Sequence, residues 1–97
     1  MILTTTNTIE GYKISDYLGI VTGVSTLLKT NFSFSTQKNL NSFSELIDKA
    51  KEEAFQKLKT NASQLKANAV VGISIDFENE SGAYFFVSVT GTAVKVA

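Results

Sequence analysis

The side chains that could do chemistry in this chain are carboxylates, lysines and tyrosines. The 97 residues include no His and no Cys. Without Cys there is no thiolate nucleophile, no redox pair and no disulfide framework. Without His there is no imidazole ligand and no side chain that titrates near neutrality with an unshifted pKa. Ser-His-Asp relays, Cys-His relays and zinc-hydrolase sites are therefore excluded. Soft heavy metals want thiolate, thioether or imidazole, and the one thioether is Met1. Oxygen donors remain. Asp76, Glu78 and Glu80 cluster near a turn, and Glu10 and Asp16 lie in the N-terminal third. Asp76 and Glu78 share the parity of one strand, about 7 Å apart, and are the candidate metal ligands. One chain offers fewer oxygens than the roughly six to eight that Ca²⁺ takes, although a symmetric assembly could repeat them. The bland reading of these carboxylates is solubility beside a turn. An enzyme would need an acid and a base drawn from Asp, Glu, Lys and Tyr. No pair is visibly poised, so no catalytic residue and no cofactor is assigned.

The charge balance bears on partners. Nine basic residues offset nine acidic ones, for a formal charge of zero. Phosphate binders show a basic excess, often with Arg forks, and this chain has no Arg. Nucleic acid is not an expected partner. No apolar run approaches the roughly 20 residues that span a membrane. The opening Met-Ile-Leu-Thr-Thr-Thr has neither a basic n-region nor a long apolar h-region, so a cytoplasmic protein is expected.

The elements that must position these groups follow from periodicity. A helix is predicted from about Ser42 to Leu65. Leu46, Ile47, Ala50, Ala54, Leu58, Ala62 and Leu65 recur at three- and four-residue steps, and Ser42 with Glu45 has capping-box spacing. Ala dominates the middle of that stripe, so another layer can approach closely. The opposite Lys/Glu face, with its Glu53–Lys57 pair, reads as solvated. Two alternating strands follow, over 70–78 and 84–96. A three-residue loop, Glu80-Ser81-Gly82, would set Phe77 opposite Phe85, Ile75 opposite Val87, Ile73 opposite Val89 and Val71 opposite Gly91. All of these would face the helix, and Gly91 would leave a gap for a bulky neighbour. Residues 2–6 and 12–22 are also strand-like. In the second stretch Tyr12, Ile14, Leu18 and Ile20 share one parity, and Asp16 interrupts them, read as an exposed end-of-sheet residue with a placed carboxylate as the alternative. Residues 24–41 read as a loop or a short, poor helix. The expected fold is α+β: one two-layer domain over 1–97, an antiparallel sheet packed on one long helix, with a β-α-β-β core and an extra N-terminal strand.

The second sheet face is the oddity. Tyr84, Phe86 and Val94 lie opposite the helix-facing set, and a single helix covers one face only. With Val70, Thr92, Val96 and one face of 12–22 they would expose more apolar surface than a monomer usually does. Tyr84, Phe86 and Val94 are therefore expected to form an interface between copies of the chain. The alternative is that the Thr-rich N-terminal strand covers them.

Several stretches together resemble the YbjQ family, small bacterial proteins described as "putative heavy-metal-binding". They are Thr4-Thr5-Thr6 with Ile9-Glu10-Gly11, Gly19-Ile20-Val21-Thr22-Gly23, Ala69-Val70-Val71-Gly72-Ile73, and Val87 to Val94. The resemblance covers nearly the whole chain in order. It implies a two-layer domain similar to dodecin subunits, assembled as a homopentameric ring, with a metal ion as a further partner. The chain departs from that pattern at Val24, where relatives carry Glu, and at Asn68, where they carry Asp. Lys66 stands where they have Gly to supply a left-handed helix cap, which implies mild strain.

Overall fold

The computed structural model describes residues 1–28, 36–80 and 84–97, with side chains described for 1–26, 44–78 and 85–97. The elements in chain order are β1 (Ile2–Leu3), β2 (Ile14–Leu28), α1 (Thr36–Gln64), β3 (Ala69–Glu80) and β4 (Tyr84–Val96). They form a four-stranded sheet of order β1-β3-β4-β2 with α1 on one face. The three long strands pair antiparallel, and β1 pairs parallel with β3. The fold is α+β, as expected, with the extra N-terminal strand making the sheet mixed.

Helix α1 buries the middle of the predicted stripe: Ala50, Ala54, Leu58 and Ala62 are inaccessible or nearly so, Leu46 and Ile47 are partly buried, and Leu65, just past the helix end, is exposed. It begins at Thr36 rather than Ser42. Ser42 thus lies inside the helix, and the Ser42–Glu45 spacing does not mark its start. Of the stretch read as a loop, residues 24–28 continue β2 and 36–41 belong to α1. The remaining residues, 29–35, lie outside those described. The helix closes on a Schellman pair. Ala67 N–H donates to Ala62 O at 3.1 Å and Lys66 N–H to Ser63 O at 2.9 Å. That geometry needs a left-handed residue, and Lys66 takes φ = 64°, as the missing glycine implied.

The hairpin register differs from the expected one. Phe77 opposes Val87, Ile75 opposes Val89 and Glu80 opposes Tyr84. Each partner lies two residues further along than predicted, so the connection is 81–83 and the conformation of Gly82 falls outside the described residues. A two-residue slip preserves parity, so Phe77, Ile75, Val87 and Val89 keep the helix-side face. Phe77 and Phe85 meet diagonally instead, with ring centroids 5.9 Å apart.

Bulges explain the other misassigned faces. Gly72, at φ = 62°, sits where Gly72 and Ile73 together oppose Gly91. This extra residue flips parity, the behaviour of a Gly-initiated bulge. Val71, expected toward the helix opposite Gly91, instead opposes Thr92 and faces away. Val70 takes its place in the helix-side core. The gap expected at Gly91 is filled by Val70 and Ile73, whose side chains would lie 2.6 and 3.0 Å from a Cβ there. Irregularities between Ile14 and Asp16 and between Tyr17 and Gly19 do the same to β2. Leu18 packs on the helix-side core while Ile20 points away, although the two share sequence parity.

There are two apolar clusters. The larger joins α1 to β2, β3 and β4. The smaller, on the opposite face, contains Ala69, Val71, Val94 and Val96, with Ile2, Ile9 and Ile14 packed on it. The N-terminal segment therefore covers one end of the helix-free face. Thr4 N–H bonds Val70 O, Gly72 N–H bonds Thr6 O and Ile73 N–H bonds Thr4 O. Asn68 ties the other side like a strand residue: its Nδ2 donates to Val96 O at 2.9 Å, and Val96 N–H donates to its Oδ1 at 2.8 Å. Val94, expected to be wet in a single chain, is 0% exposed. The covered-face alternative holds at this end of the sheet.

Candidate functional site

Beyond the N-terminal cover, the helix-free face is open. β2 contributes Tyr17, Ile20, Thr22, Val24 and Thr26, and β4 contributes Phe86, Ser88, Thr90 and Thr92. Ile20 is 78% exposed, Tyr17 73%, and Val24 is also exposed. Phe86 is half-buried, and the side chain of Tyr84 is outside the described set. Of the three residues expected at an interface, Phe86 thus lies on this open face and Val94 lies in its covered part.

Asp76 and Glu78 are exposed on the same face of β3, opposite Ser88 and Phe86. The other described candidates do not join them. Asp16 pairs with Lys95 at the far end of β4, about 23 Å from the level of Ser88 by strand rise. Glu10 is exposed in the N-terminal loop. Among the described residues no three of His, Cys, Asp or Glu come together. Two exposed carboxylates can hold a hard cation weakly. They do not fit a soft heavy metal, and a chain without Cys or His offers such a metal only the Met1 thioether.

A second feature lies between α1 and the free edge of β2. Gly23 lets the helix approach so closely that a Cβ there would sit 2.0 Å from Ala54 O and 2.7 Å from Leu58 N. Just outside that contact runs an open groove of about 480 Å³, lined by Thr22, Gly23, Val24, Glu53, Gln56, Lys57, Thr60 and Asn61. Lys57 Nζ donates to Val24 O at 2.9 Å and sits 3.7 Å from Glu53. Asn61 Nδ2 donates to Thr22 O at 2.8 Å. The sequence reading had Lys57 on a purely solvated face. The structure makes Lys57 and Asn61 caps on the edge carbonyls of β2, which guards that edge against random strand addition. The groove was missed because its walls come from segments more than 30 residues apart. The available signal was a glycine in β2 matched to an alanine stripe in α1.

Comparison with known proteins agrees with this architecture. A family model for YbjQ proteins, described as "Putative heavy-metal-binding", matches residues 1–97. A crystal structure of a protein of unknown function from Pediococcus pentosaceus ATCC 25745, of the DUF74 family, superposes with a TM-score of 0.72 at 25% identity. The match covers 100% of this chain and 98% of that one.

Proposed function

Because the chain belongs to the YbjQ family, we propose that it is a homo-oligomeric binding module of a bacterial cytoplasm, holding a metal ion or small ligand where copies meet. Five copies is the number that the family resemblance implies. One observation carries the assembly. The accessible surface is 6397 Å², about 1,000 Å² more than a compact monomer of this mass presents. A specific interface removes about 800 Å² per partner, so the surplus is of the size that self-association covers. The exposed Ile20 and Tyr17, with half-buried Phe86 beside them, supply apolar area on one continuous face.

The ligand class follows from the donors. Asp76 and Glu78, repeated by symmetry, would present hard oxygens, which suit a hard cation or a polar organic molecule. Soft heavy metals find a single soft donor here, the Met1 thioether, so the residues lend the family description little support. A second reading, a scaffold with no ligand, is favoured by the same face and by the lack of converging side chains within one chain. Native mass spectrometry of freshly purified protein separates them. An oligomer carrying added mass supports the binding module, a bare oligomer supports the scaffold, and a monomer overturns both.

A further inference from the structure

The two edges of the sheet differ. At the β2 edge, Lys57 and Asn61 cap the outward carbonyls and leave the groove beside them. The β3 edge is covered by the N-terminal segment only as far as Ile73, whose N–H bonds Thr4 O. Backbone groups alternate along a strand, so those of Ile75 and Phe77 point out of the same edge. Among the described residues no strand pairs with β3 there. The side chains of Ile75 and Phe77 are on the helix side of the sheet, yet 40% and 50% exposed. Gly23 and Ala54 draw the helix over β2 and β4, which leaves the end of β3 bare.

One edge therefore carries exposed apolar side chains, Phe77 at the end and Ile75 beside an open hollow that it lines with Leu3, Thr4, Phe55 and Ile73, and the other edge carries the groove, both in the layer between helix and sheet. We propose that Ile75 and Phe77 of one copy seat in the α1–β2 groove of the next copy. This rests on the self-assembly reading and specifies how that assembly is made. The contact is head-to-tail, and such contacts close into rings where the rotation between copies closes and run on as filaments where it does not. Charge selects this partner over the symmetric alternative. Pairing β3 with β3 would bring Asp76 and Glu78 of one copy beside those of the other, a like-charge contact across strands. The β2 edge from Tyr17 to Leu28 carries no acid, and the one acid lining the groove, Glu53, sits 3.7 Å from the Lys57 ammonium. The Lys57 ammonium in the groove offers the Phe77 ring a cation–π partner.

The chain lacks Cys, so introduced thiols report without background. Phe77→Cys and Gln56→Cys place one thiol on the β3 edge and one in the groove. Within one copy these sites lie two strands apart, about 10 Å or more, beyond disulfide reach. The double variant, oxidised and run without reductant, should give a ladder of covalent multimers, while each single variant stays unlinked. A dimer of Phe77→Cys alone would show β3 meeting β3 and overturn the inference. An unlinked double variant that keeps the wild-type native mass would overturn it as well, leaving self-assembly through another surface intact. A monomeric native mass for the unmodified protein would overturn both.

Discussion

Lys66 shows how one residue can hold a fold together at a cost. Its φ of 64° is a region where an L-residue is disfavoured by about 1–2 kcal/mol. It stays there because two Schellman hydrogen bonds and the turn into β3 require it. Lys66→Gly removes the steric penalty but adds chain entropy to the unfolded state. The net gain should be about 1 kcal/mol, read as a rise in melting temperature of about 4–8 °C with an unchanged circular dichroism spectrum. Metal chemistry is also decided at this scale. With Met1 as the lone soft donor, isothermal titration at neutral pH should show no submicromolar, stoichiometric uptake of Zn²⁺ or Cd²⁺. Uptake of that kind would mean that hard oxygens from several copies converge far better than Asp76 and Glu78 do in one.

At the scale of elements, the contact between α1 and β2 governs what is exposed. A helix of 29 residues is about 44 Å long, and its alanine stripe lets it lie directly on Gly23. Gly23→Ala would drive a methyl group into backbone atoms of Ala54 and Leu58, which no rotamer change relieves. Overpacking of this kind costs about 1–3 kcal/mol. Urea denaturation should show a loss at the upper end of that range, because backbone has to move. An unchanged midpoint would mean that the helix sits further from β2. The exposed change Glu52→Gln, away from that contact, should leave stability within about 0.5 kcal/mol.

For the whole molecule, shape and surface argue together. The radius of gyration is 16.0 Å and the extents are 52 × 21 × 18 Å, against about 12.5 Å for a compact domain of this length. A rod-like chain with two clusters among its described residues buries little per residue, and the proposed association would offset that deficit. Burying one large apolar side chain contributes about 1.5–3 kcal/mol. Phe86→Glu would set a carboxylate on the helix-free face, which the proposed assembly would cover and where an unpaired buried charge is costly. Light scattering and thermal melts should show oligomer mass and melting temperature falling together, whereas Glu52→Gln changes neither. If Phe86→Glu keeps the wild-type mass, the helix-free face is not covered by another copy.

Local order in the residues determined the class of each element. The three-and-four spacing of Ala50, Ala54, Leu58 and Ala62 specified a helix with one buried stripe, and alternation in 70–78 and 84–96 specified strands. The lack of His and Cys excluded whole chemistries before any coordinate was needed. The strain at Lys66 was legible only through the resemblance to relatives that carry Gly there, since a lysine by its type does not announce a left-handed backbone. Faces and partners were decided only by tertiary structure. A bulge at Gly72 or beside Leu18 shifts parity by one residue while leaving the run of residue types unchanged. Val71 and Ile20 therefore could not be placed by counting. Register was equally hidden, because a slip of two residues in the hairpin keeps every apolar side chain on its face and costs the pattern nothing. Val94 was buried in a cluster with Ala69, Val71 and Val96 on which Ile2, Ile9 and Ile14 pack, an arrangement that depends on how the N-terminal segment crosses the sheet. The groove beside Gly23 exists because a glycine and an alanine meet across more than thirty residues of chain, and only the folded arrangement brings such surfaces together.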